Sequence, residues 1–285
     1  MIDISVIVPI YYGNPYIGSI FDMISENSRN LDKKNVELIL INDSPDYPLK
    51  LDKSKVSGFK LVVIDNEKNS GIHFSRIRGF LAASGKYVMF FDQDDHIEPY
   101  TLSSQLSRIG DSPAILSNGY VETMNSSKTK IFPSEHYQKL TNNLNSFLFS
   151  GNQIVSPGIC LMAKWAVPHI WLSEIQKVNG SDDLLLWCSF LSENKKFTFN
   201  NEYLYTHIYT GHNTSDNATQ MANSVKETLS ILKKNKMISD DQYLRGIRQA
   251  NITVQFIGVS PIRKLLSLLF HRDWTILLYK FLCHK

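Results

Sequence analysis

The sequence has few of the residues that mark secreted, zinc-binding or membrane-spanning chains. Its three cysteines include no CxxC pair, which predicts neither a disulfide framework nor a zinc site and favours a reducing compartment. They are Cys160, Cys188 and Cys283. No apolar run reaches the roughly 18 residues that a membrane-spanning helix needs. The apolar start, residues 1–13, has an early acid and a proline but no basic leader, which favours a first strand over a signal peptide.

The net charge is small, and the glycine-rich motifs of nucleotide-binding loops are missing from the expected positions. The formal net charge of +3 over 285 residues is too small to indicate a nucleic-acid partner. No GxGxxG follows a predicted strand, which argues against a dinucleotide-binding dehydrogenase. The segment YYGNPYIG has neither arginine nor a run of glycines, which argues against a nucleotidyltransferase. The length suits one large α/β domain, with or without a helical appendage.

Strand–helix alternation dominates the first hundred residues. Short apolar runs predict buried strands at 6–8, 36–41, 60–64 and 87–91. Helices are predicted from Asn14, which can cap its own first turn, and over 72–83. The pattern predicts an α/β fold with a mostly parallel, Rossmann-like central sheet flanked by helices. Later strands are predicted at 114–124 and 158–163 and in KFTFN and YLYTHIYT, with helices from Ser181 and after Ser215.

Polar residues follow each of the first four predicted strands, the third after a short gap. Ligands of open parallel sheets bind beyond the carboxyl ends of the strands, so these segments form the candidate site. They are residues 9–12, 42–44, 69–72 and 92–95.

The sharpest of these segments is 92–95, with three aspartates in four residues. Their mutual repulsion requires a cation or raised pKa values. Carboxylate oxygens suit Mg²⁺ or Mn²⁺ better than zinc. The alternative is that Asp95 caps the helix after Pro99, which explains one aspartate well and three poorly.

The other candidates each have a structural alternative. Asp43 could accept hydrogen bonds from a base or ribose, or belong to a turn. Arg76 could contact a diphosphate from a helix. The pair Asp182–Asp183 could supply a catalytic base, or only complement a helix dipole. The histidines His207 and His212 could ligate a metal or be structural. The aromatic candidates for stacking on a sugar or base are Tyr11, Trp165 and Trp171, whereas core packing is favoured for Trp187.

The order of these segments resembles the nucleotide-binding half of family-2 glycosyltransferases. The matching segments are VIVPIYY, ILINDSPD, NEKNSGIHFSRIRG and ASGKYVMFFDQDD. Later, GSDDLLLW resembles the segment with the catalytic base, and YTGHNTS resembles the closing loop. The resemblance implies a GT-A fold. It divides the chain into a nucleotide-sugar-binding half (1–95), an acceptor-binding half (96–215) and a C-terminal helical extension (216–285).

The resemblance also implies residue roles. Asp183 is the implied general base, where the family usually has Glu-Asp and this chain has Asp-Asp. Asp94 is the implied ligand of Mn²⁺ or Mg²⁺, joined by His212 or His207, which the spacing does not separate. The family commonly has Ala-Arg-Asn around Arg76, where this chain has Ser-Arg-Ile. The implied nucleotide-sugar contacts are Pro9, Tyr11, Asp43, Asn69, Gly71, Arg76, Asp92 and Gln93.

The implied activity is transfer of a sugar, with inversion, from a UDP-linked donor to an acceptor hydroxyl. The acceptor is a glycan or a polyprenyl-diphosphate-linked oligosaccharide, and the setting is bacterial capsular or cell-surface polysaccharide synthesis. The alternative is a catalytically inactive glycan-binding or partner subunit of the same fold. The expected location is the cytoplasm or the inner face of the plasma membrane. The sequence leaves open whether the protein forms a homodimer.

Residues 261–285 combine leucines and aromatics with five basic residues and one acid. Such a segment can lie on an anionic membrane as a peripheral contact. It can equally pack on the catalytic domain or form a dimer contact.

Overall fold

The computed structural model describes residues 2–32, 35–211 and 216–255. These residues form two compact units. The first, here called the sheet unit, comprises the described residues of 2–133, 155–167 and 196–211. The second, the helical unit, comprises 134–154, 168–195 and 216–255. The described helices after residue 215 share a unit with 134–154 and 168–195, and the predicted domain boundaries stay a prediction.

Within the described residues, the sheet unit contains one sheet of nine strands. The strands are β1 (Ile4–Ile10), β2 (Val36–Asn42), β3 (Phe59–Asp65), β4 (Tyr87–Phe90), β5 (His96–Ile97), β6 (Ala114–Glu122), β7 (Lys128–Lys130), β8 (Cys160–Ala163) and β9 (Phe197–Ile208). Their order is β3-β2-β1-β4-β8-β6-β9-β5, with β7 paired to β6. Strands β1 to β4 are parallel, as predicted, while β8 runs antiparallel to both of its neighbours.

Three helices of the sheet unit follow from the same alternation. They are α1 (Asn14–Arg29), α2 (Ile72–Ala82) and α3 (Thr101–Ile109). Helix α1 connects β1 to β2, and α2 connects β3 to β4 in the opposite direction across the sheet. Right-handed crossovers therefore place the two helices on opposite faces of the sheet. The buried side chains of α1 include the predicted apolar stripe Ile17, Ile20, Phe21 and Ile24. Together these elements confirm the predicted α/β class.

The helical unit is built from six described helices. They are α4 (Glu135–Leu140), α5 (Leu144–Ser150), α6 (His169–Ser173), α7 (Asp182–Ser192), α8 (Ala218–Lys234) and α9 (Asp240–Gln255). Helix α7 forms its centre, since nine of its eleven residues are buried. Among the described residues, none of the helices is long and apolar enough to cross a membrane. The predicted membrane or packing segment at 261–285 lies outside the described residues.

Two local predictions were wrong for the same reason, which is a partner distant in sequence. Asn14 does not cap α1, because its side chain binds the carbonyl of Pro48 at 3.0 Å and the amide of Lys50 at 2.8 Å. The segments KFTFN and YLYTHIYT were expected as separate strands, yet they form the single strand β9. Strand β9 pairs with β6 in parallel along both segments, and register shifts near Asn118 of β6 accommodate the residues between the two segments.

Candidate active site

The acidic loop 92–95 starts within the sheet and not at its rim. Strand β4 ends at Phe90, which pairs with Ile7, whereas β1 continues to Ile10. The loop therefore runs beside the end of β1. There the Gln93 side chain accepts a hydrogen bond from the Tyr11 amide at 3.1 Å and donates one to the Tyr11 carbonyl at 3.2 Å. This pair of bonds fixes the loop to the end of β1.

Asp92 is held through both of its carboxylate oxygens. Arg76 of α2 donates to Oδ1, and the Ser156 hydroxyl donates to Oδ2 at 2.9 Å. Arg76 is only 3% exposed, so breaking this pair would leave a buried charge uncompensated. Arg76 and Ser156 thus hold the loop in place. The predicted contacts of Arg76 and Asp92 with a donor stay predictions.

Asp95 is fixed to strand β9 and is not a helix cap. Its Oδ1 accepts the Ile208 amide at 3.0 Å and lies 2.9 Å from Nδ1 of His207, and its Oδ2 accepts the Tyr205 hydroxyl. The structural alternative, in which Asp95 caps the next helix, was wrong, since α3 begins at Thr101 without a side-chain cap. Burial raises the pKa of Asp95, an effect that its His207 and Tyr205 partners oppose.

His207 has a defined orientation because of Asp95. An ionised carboxylate has no proton to donate, so Asp95 in that form accepts from His207, whose Nδ1 then carries the proton. Nε2 is then the ring nitrogen that remains for another partner. Burial lowers the pKa of His207, but the hydrogen bond to Asp95 and the nearby carboxylates raise it to a net value above the ordinary one.

Asp94 differs from its two acidic neighbours. Among the described residues, no other side chain or backbone amide donates a hydrogen bond to its carboxylate. Burial, followed by the charges of Asp95 and Asp92, raises the pKa of Asp94 to about 6. A bound cation would stabilise the ionised form of this carboxylate.

Asp43 organises the loop that precedes α2. It is 4% exposed, and its Oδ1 accepts from the Asn66 side chain at 2.6 Å and the Ser70 amide at 2.8 Å. Its Oδ2 accepts the Gly71 amide at 2.9 Å, and Asn69 Oδ1 accepts the same amide at 3.2 Å. Gly71 has a φ of 86°, a conformation that favours glycine. Contact of this loop with a nucleotide stays a prediction.

Three partly exposed tyrosines lie beside the ends of β1 and β2. Tyr11, Tyr12 and Tyr47 are 51%, 48% and 38% exposed. The rings of Tyr11 and Tyr12 are 4.7 Å apart, and those of Tyr12 and Tyr47 are 5.6 Å apart. Tyr12 has a φ of 47°, and the Ser44 hydroxyl accepts a hydrogen bond from its amide at 3.0 Å. Pro9 is buried in β1 opposite Ile41.

In the helical unit, α7 begins with the two predicted acids. Asp182 is 4% exposed, and its carbonyl accepts the Trp171 indole N–H at 2.9 Å. Asp183 is more accessible. Its Oδ2 accepts the Asn152 side chain at 2.6 Å, and its Oδ1 accepts the Leu184 amide at 2.7 Å. Asn152 therefore fixes the direction of the Asp183 carboxylate.

The three described tryptophans differ in exposure. Trp171 is fully buried, and Trp187 is in the core, as predicted. Trp165 is 65% exposed but follows β8, whose end pairs with Tyr87 at the start of β4. The acidic loop follows the other end of β4, so Trp165 and this loop lie at opposite edges of the sheet.

Comparison with known proteins shows which family this chain belongs to. The sequence model of Glycosyl transferase family 2 matches residues 5–168, more than half of the chain. The chain belongs to this family. EpsH of Bacillus subtilis (strain 168), named as a glycosyltransferase, is 30% identical over 151 residues, which cover 48% of this chain and 42% of EpsH. This family-2 chain thus spans less than half the length of that relative, so the activity and partners of the whole protein belong to proposals.

Solved structures confirm the GT-A-like fold. TarS 1–349 from S. aureus, in complex with UDP-GlcNAc, has a TM-score of 0.62 at 16% identity, over 88% of this chain and 72% of that one. The mannosyltransferase PcManGT from Pyrobaculum calidifontis, in complex with GDP-Man and Mn²⁺, has a TM-score of 0.56 at 15% identity, over 99% and 85%. At this level of identity the likeness concerns the fold alone.

The donor set of the acidic loop fits a divalent cation shared with a substrate. Within the residues that the structure describes, no group of three or more His, Cys, Asp or Glu side chains surrounds a metal position. Mg²⁺ sites commonly use only one or two carboxylates, completed by substrate phosphates and water. Asp94 meets that requirement, and Nε2 of His207 is a second candidate donor. His212, the other predicted ligand, lies outside the described residues.

The sequence analysis missed three residues of this arrangement, which are Asn66, Ser156 and Asn152. Asn66 follows β3 directly, so the rule that polar residues after strands form the site would have found it. The roles of Ser156 and Asn152 had no local signal, because each depends on an acid more than thirty residues distant.

The raised pKa of Asp94 predicts a gain in stability on its neutralisation. The folded-state pKa of about 6 exceeds the ordinary aspartate value of 3.8, so the folded protein binds more protons between these values and loses stability as pH rises through this window. In chelator-treated buffer, Asp94→Asn is therefore expected to melt at a higher temperature than wild type at pH 7.5. The difference should shrink as the pH falls and vanish at about pH 3, where the wild-type carboxyl is mostly protonated in both states. Melting curves that stay parallel from pH 4 to pH 8 would contradict this account.

Proposed function

We propose that this family-2 chain transfers a sugar from a UDP-linked donor to the hydroxyl of a glycan or lipid-linked acceptor, with inversion at the anomeric carbon. The single observation that carries the proposal is the uncommitted Asp94 carboxylate, set beyond β4 between two acids that the fold already holds. A nucleoside diphosphate with a divalent cation is the ligand whose charge suits such a loop.

We assign the cation to Asp94, with His207 favoured over His212 as a second protein ligand. The support is the hydrogen bond from Nδ1 of His207 to Asp95, because metal-binding histidines usually donate their other N–H to a carboxylate. When bound, Mn²⁺ or Mg²⁺ supplies positive charge that stabilises the departing diphosphate. Arg76 and Ser156 keep Asp92 in place, and Gln93 keeps the loop against β1.

We assign the proton transfer to Asp183. An acceptor hydroxyl is a weak nucleophile, and a carboxylate that takes its proton during attack strengthens it. The Asn152 amide directs this carboxylate through its bond to Oδ2. Direct displacement by the hydroxyl then inverts the anomeric centre.

A panel of nucleotide sugars tests the proposed function. Hydrolysis or transfer is measured for UDP-, GDP- and dTDP-linked sugars, with Mn²⁺ and with EDTA. The proposal expects metal-dependent turnover with at least one UDP sugar. UDP binding without turnover of any donor would favour the inactive glycan-binding subunit, and turnover in EDTA equal to that in Mn²⁺ would contradict the role of Asp94.

The exposed tyrosine at the end of β1 supplies a further prediction. We propose that Tyr11 stacks on the base of the nucleotide, and stacking on an aromatic ring is worth about 1–3 kcal/mol per base. Tyr11→Ala is therefore expected to weaken UDP binding by roughly 5- to 150-fold in a calorimetric titration. The matched control is Tyr100→Ala, because Tyr100 is 49% exposed and lies at the start of α3. Equal affinities of the two variants for UDP would exclude stacking by Tyr11.

A further inference from the structure

The segment 174–181, which leads into α7 and Asp183, has no helix or strand of its own. Its backbone groups instead find partners on the side chains of α8. Buried or half-buried backbone groups need such partners, since an unpaired one costs free energy comparable to a lost hydrogen bond. We call 174–181 the approach loop.

Glu227 of α8 holds the centre of the approach loop. Its Oε1 accepts the amide of Lys177 at 3.0 Å, and its Oε2 accepts the amide of Val178 at 2.9 Å. A carboxylate that accepts two consecutive backbone amides makes charge-assisted bonds, which are about twice as strong as neutral ones. The two bonds also fix the orientation of the peptide between the two residues.

Four neutral side chains of α8 and the approach loop continue this contact towards α7. The Ser224 hydroxyl donates to the Val178 carbonyl at 2.8 Å, and the Gln220 amide donates to the Asn179 carbonyl at 3.1 Å. The Thr228 hydroxyl lies 3.2 Å from the Ser181 carbonyl, which it binds as a donor. The Ser181 hydroxyl lies 2.8 Å from that of Ser224 and 2.9 Å from that of Thr228.

Close packing reinforces these bonds directly before the two acids. Gly180 has a φ of 137°, and a Cβ added there would lie 2.6 Å from the sulfur of Met221. A side chain at this position would have to displace the Met221 side chain of α8 and would adopt a φ that favours glycine. Ser181 follows at the N-cap of α7, so the helix that carries Asp183 begins at a point fixed by α8.

From these contacts we propose that α8 is the positioning element of the catalytic base: it sets the approach loop, and through it the start of α7 and Asp183. The proposal rests on the proposed function, in which Asp183 is the base. It gives residues 218–234 a role in turnover, which the sequence did not indicate. Glu227 and Ser224 act through the loop and touch no reacting atom, so they are positioning residues.

The test compares substitutions on one helix. Glu227→Ala and Ser224→Ala remove bonds to the approach loop, whereas Ser230→Ala removes only a bond to the Lys226 carbonyl of α8 itself. Hydrolysis of the most active UDP sugar from the panel gives kcat and KM, and calorimetry gives the Kd of UDP. A misplacement of about 1 Å at a catalytic group can cost about 100-fold in rate. Glu227→Ala is therefore expected to lower kcat by roughly 10- to 100-fold, with the Kd of UDP within about twofold of wild type.

A general loss of folding is separated from positioning by graded variants. Glu227→Gln keeps the side-chain shape and one acceptor, so its kcat should lie between those of Glu227→Ala and wild type. Should Glu227→Ala fail to fold, Gln220→Ala removes a single exposed bond and should still lower kcat several-fold without changing UDP affinity. Wild-type kcat in a folded Glu227→Ala or in Gln220→Ala overturns the proposal. An equal loss in Ser230→Ala would overturn it as well.

Failure of the positioning role is distinguishable from failure of the proposed function. If Asp183→Asn turns over like wild type, the assignment of the base fails, whatever Glu227 does. If Asp183→Asn loses its activity while Glu227→Ala keeps it, only the role of α8 fails.

Discussion

Asp94→Ala is expected to lower turnover of the nucleotide sugar by at least about 10²–10³-fold, the usual effect of removing one electrostatic stabiliser of a developing charge. The expectation follows from the state of the carboxylate. Asp92 and Asp95 spend their oxygens on bonds within the protein, whereas Asp94 has a pKa raised to about 6 by burial and by these two acids. Removing Asp94 leaves no equivalent carboxylate in the loop.

The measurement is turnover with and without added Mn²⁺. Excess EDTA should abolish turnover by the wild type, and excess Mn²⁺ should not restore Asp94→Ala, because the ligand itself is missing. The control is Asp22→Ala, which removes an exposed acid whose partner on the surface is Lys55. Such surface pairs contribute about 0–1 kcal/mol, so this variant should keep its activity. Undiminished wild-type turnover in EDTA would refute the metal assignment.

The fold was predictable from sequence where a local pattern determines it. Strands β1, β2 and β4 are buried throughout and mostly apolar, and polar residues follow their ends. Parallel pairing brings these ends to one edge of the sheet, so the sequence alone was sufficient to group 92–95 with Asp43. The predicted and observed bounds of β2 and β3 differ by only one residue at an end.

The roles of individual polar residues were predictable only in part, because a side chain can bind a local or a distant partner. Asp95 looked like a helix cap, but Tyr205 and His207, more than a hundred residues later, bind it. Asn14 had the same ambiguity and binds the 48–50 segment. Nothing in the nearby sequence reports such partners. Three aspartates together were informative because no set of local bonds easily satisfies all of them.

For the helices after residue 216, the secondary structure was predictable but the partners of the polar side chains were not. Their apolar spacing predicted helix, and α8 and α9 confirm it, but the spacing gives no indication of what the polar face binds. Glu227 and Ser224 read as ordinary surface residues of an amphipathic helix. Their function depends on the shape of the approach loop, which has no periodic signal of its own.

Asp183→Asn is expected to lower turnover by about 10²–10⁴-fold, the range of general-base assistance, while the protein still folds and binds UDP. Asparagine retains an oxygen that can accept the Leu184 amide, and it is a good residue for a helix start, so a purely structural role would survive the change. Asparagine cannot take a proton as a carboxylate base does.

The matched control is Asp182→Asn, because Asp182 is the adjacent acid in the same helix turn but is buried. A helix-dipole role would give the two variants similar losses of stability and little loss of turnover, since each acid near a helix N-terminus contributes about 0.3–1 kcal/mol. A base role requires that kcat fall far more for Asp183→Asn than for Asp182→Asn, with the Kd of UDP unchanged in both. Turnover of Asp183→Asn within about tenfold of wild type is below the range of a general base and would place the base elsewhere.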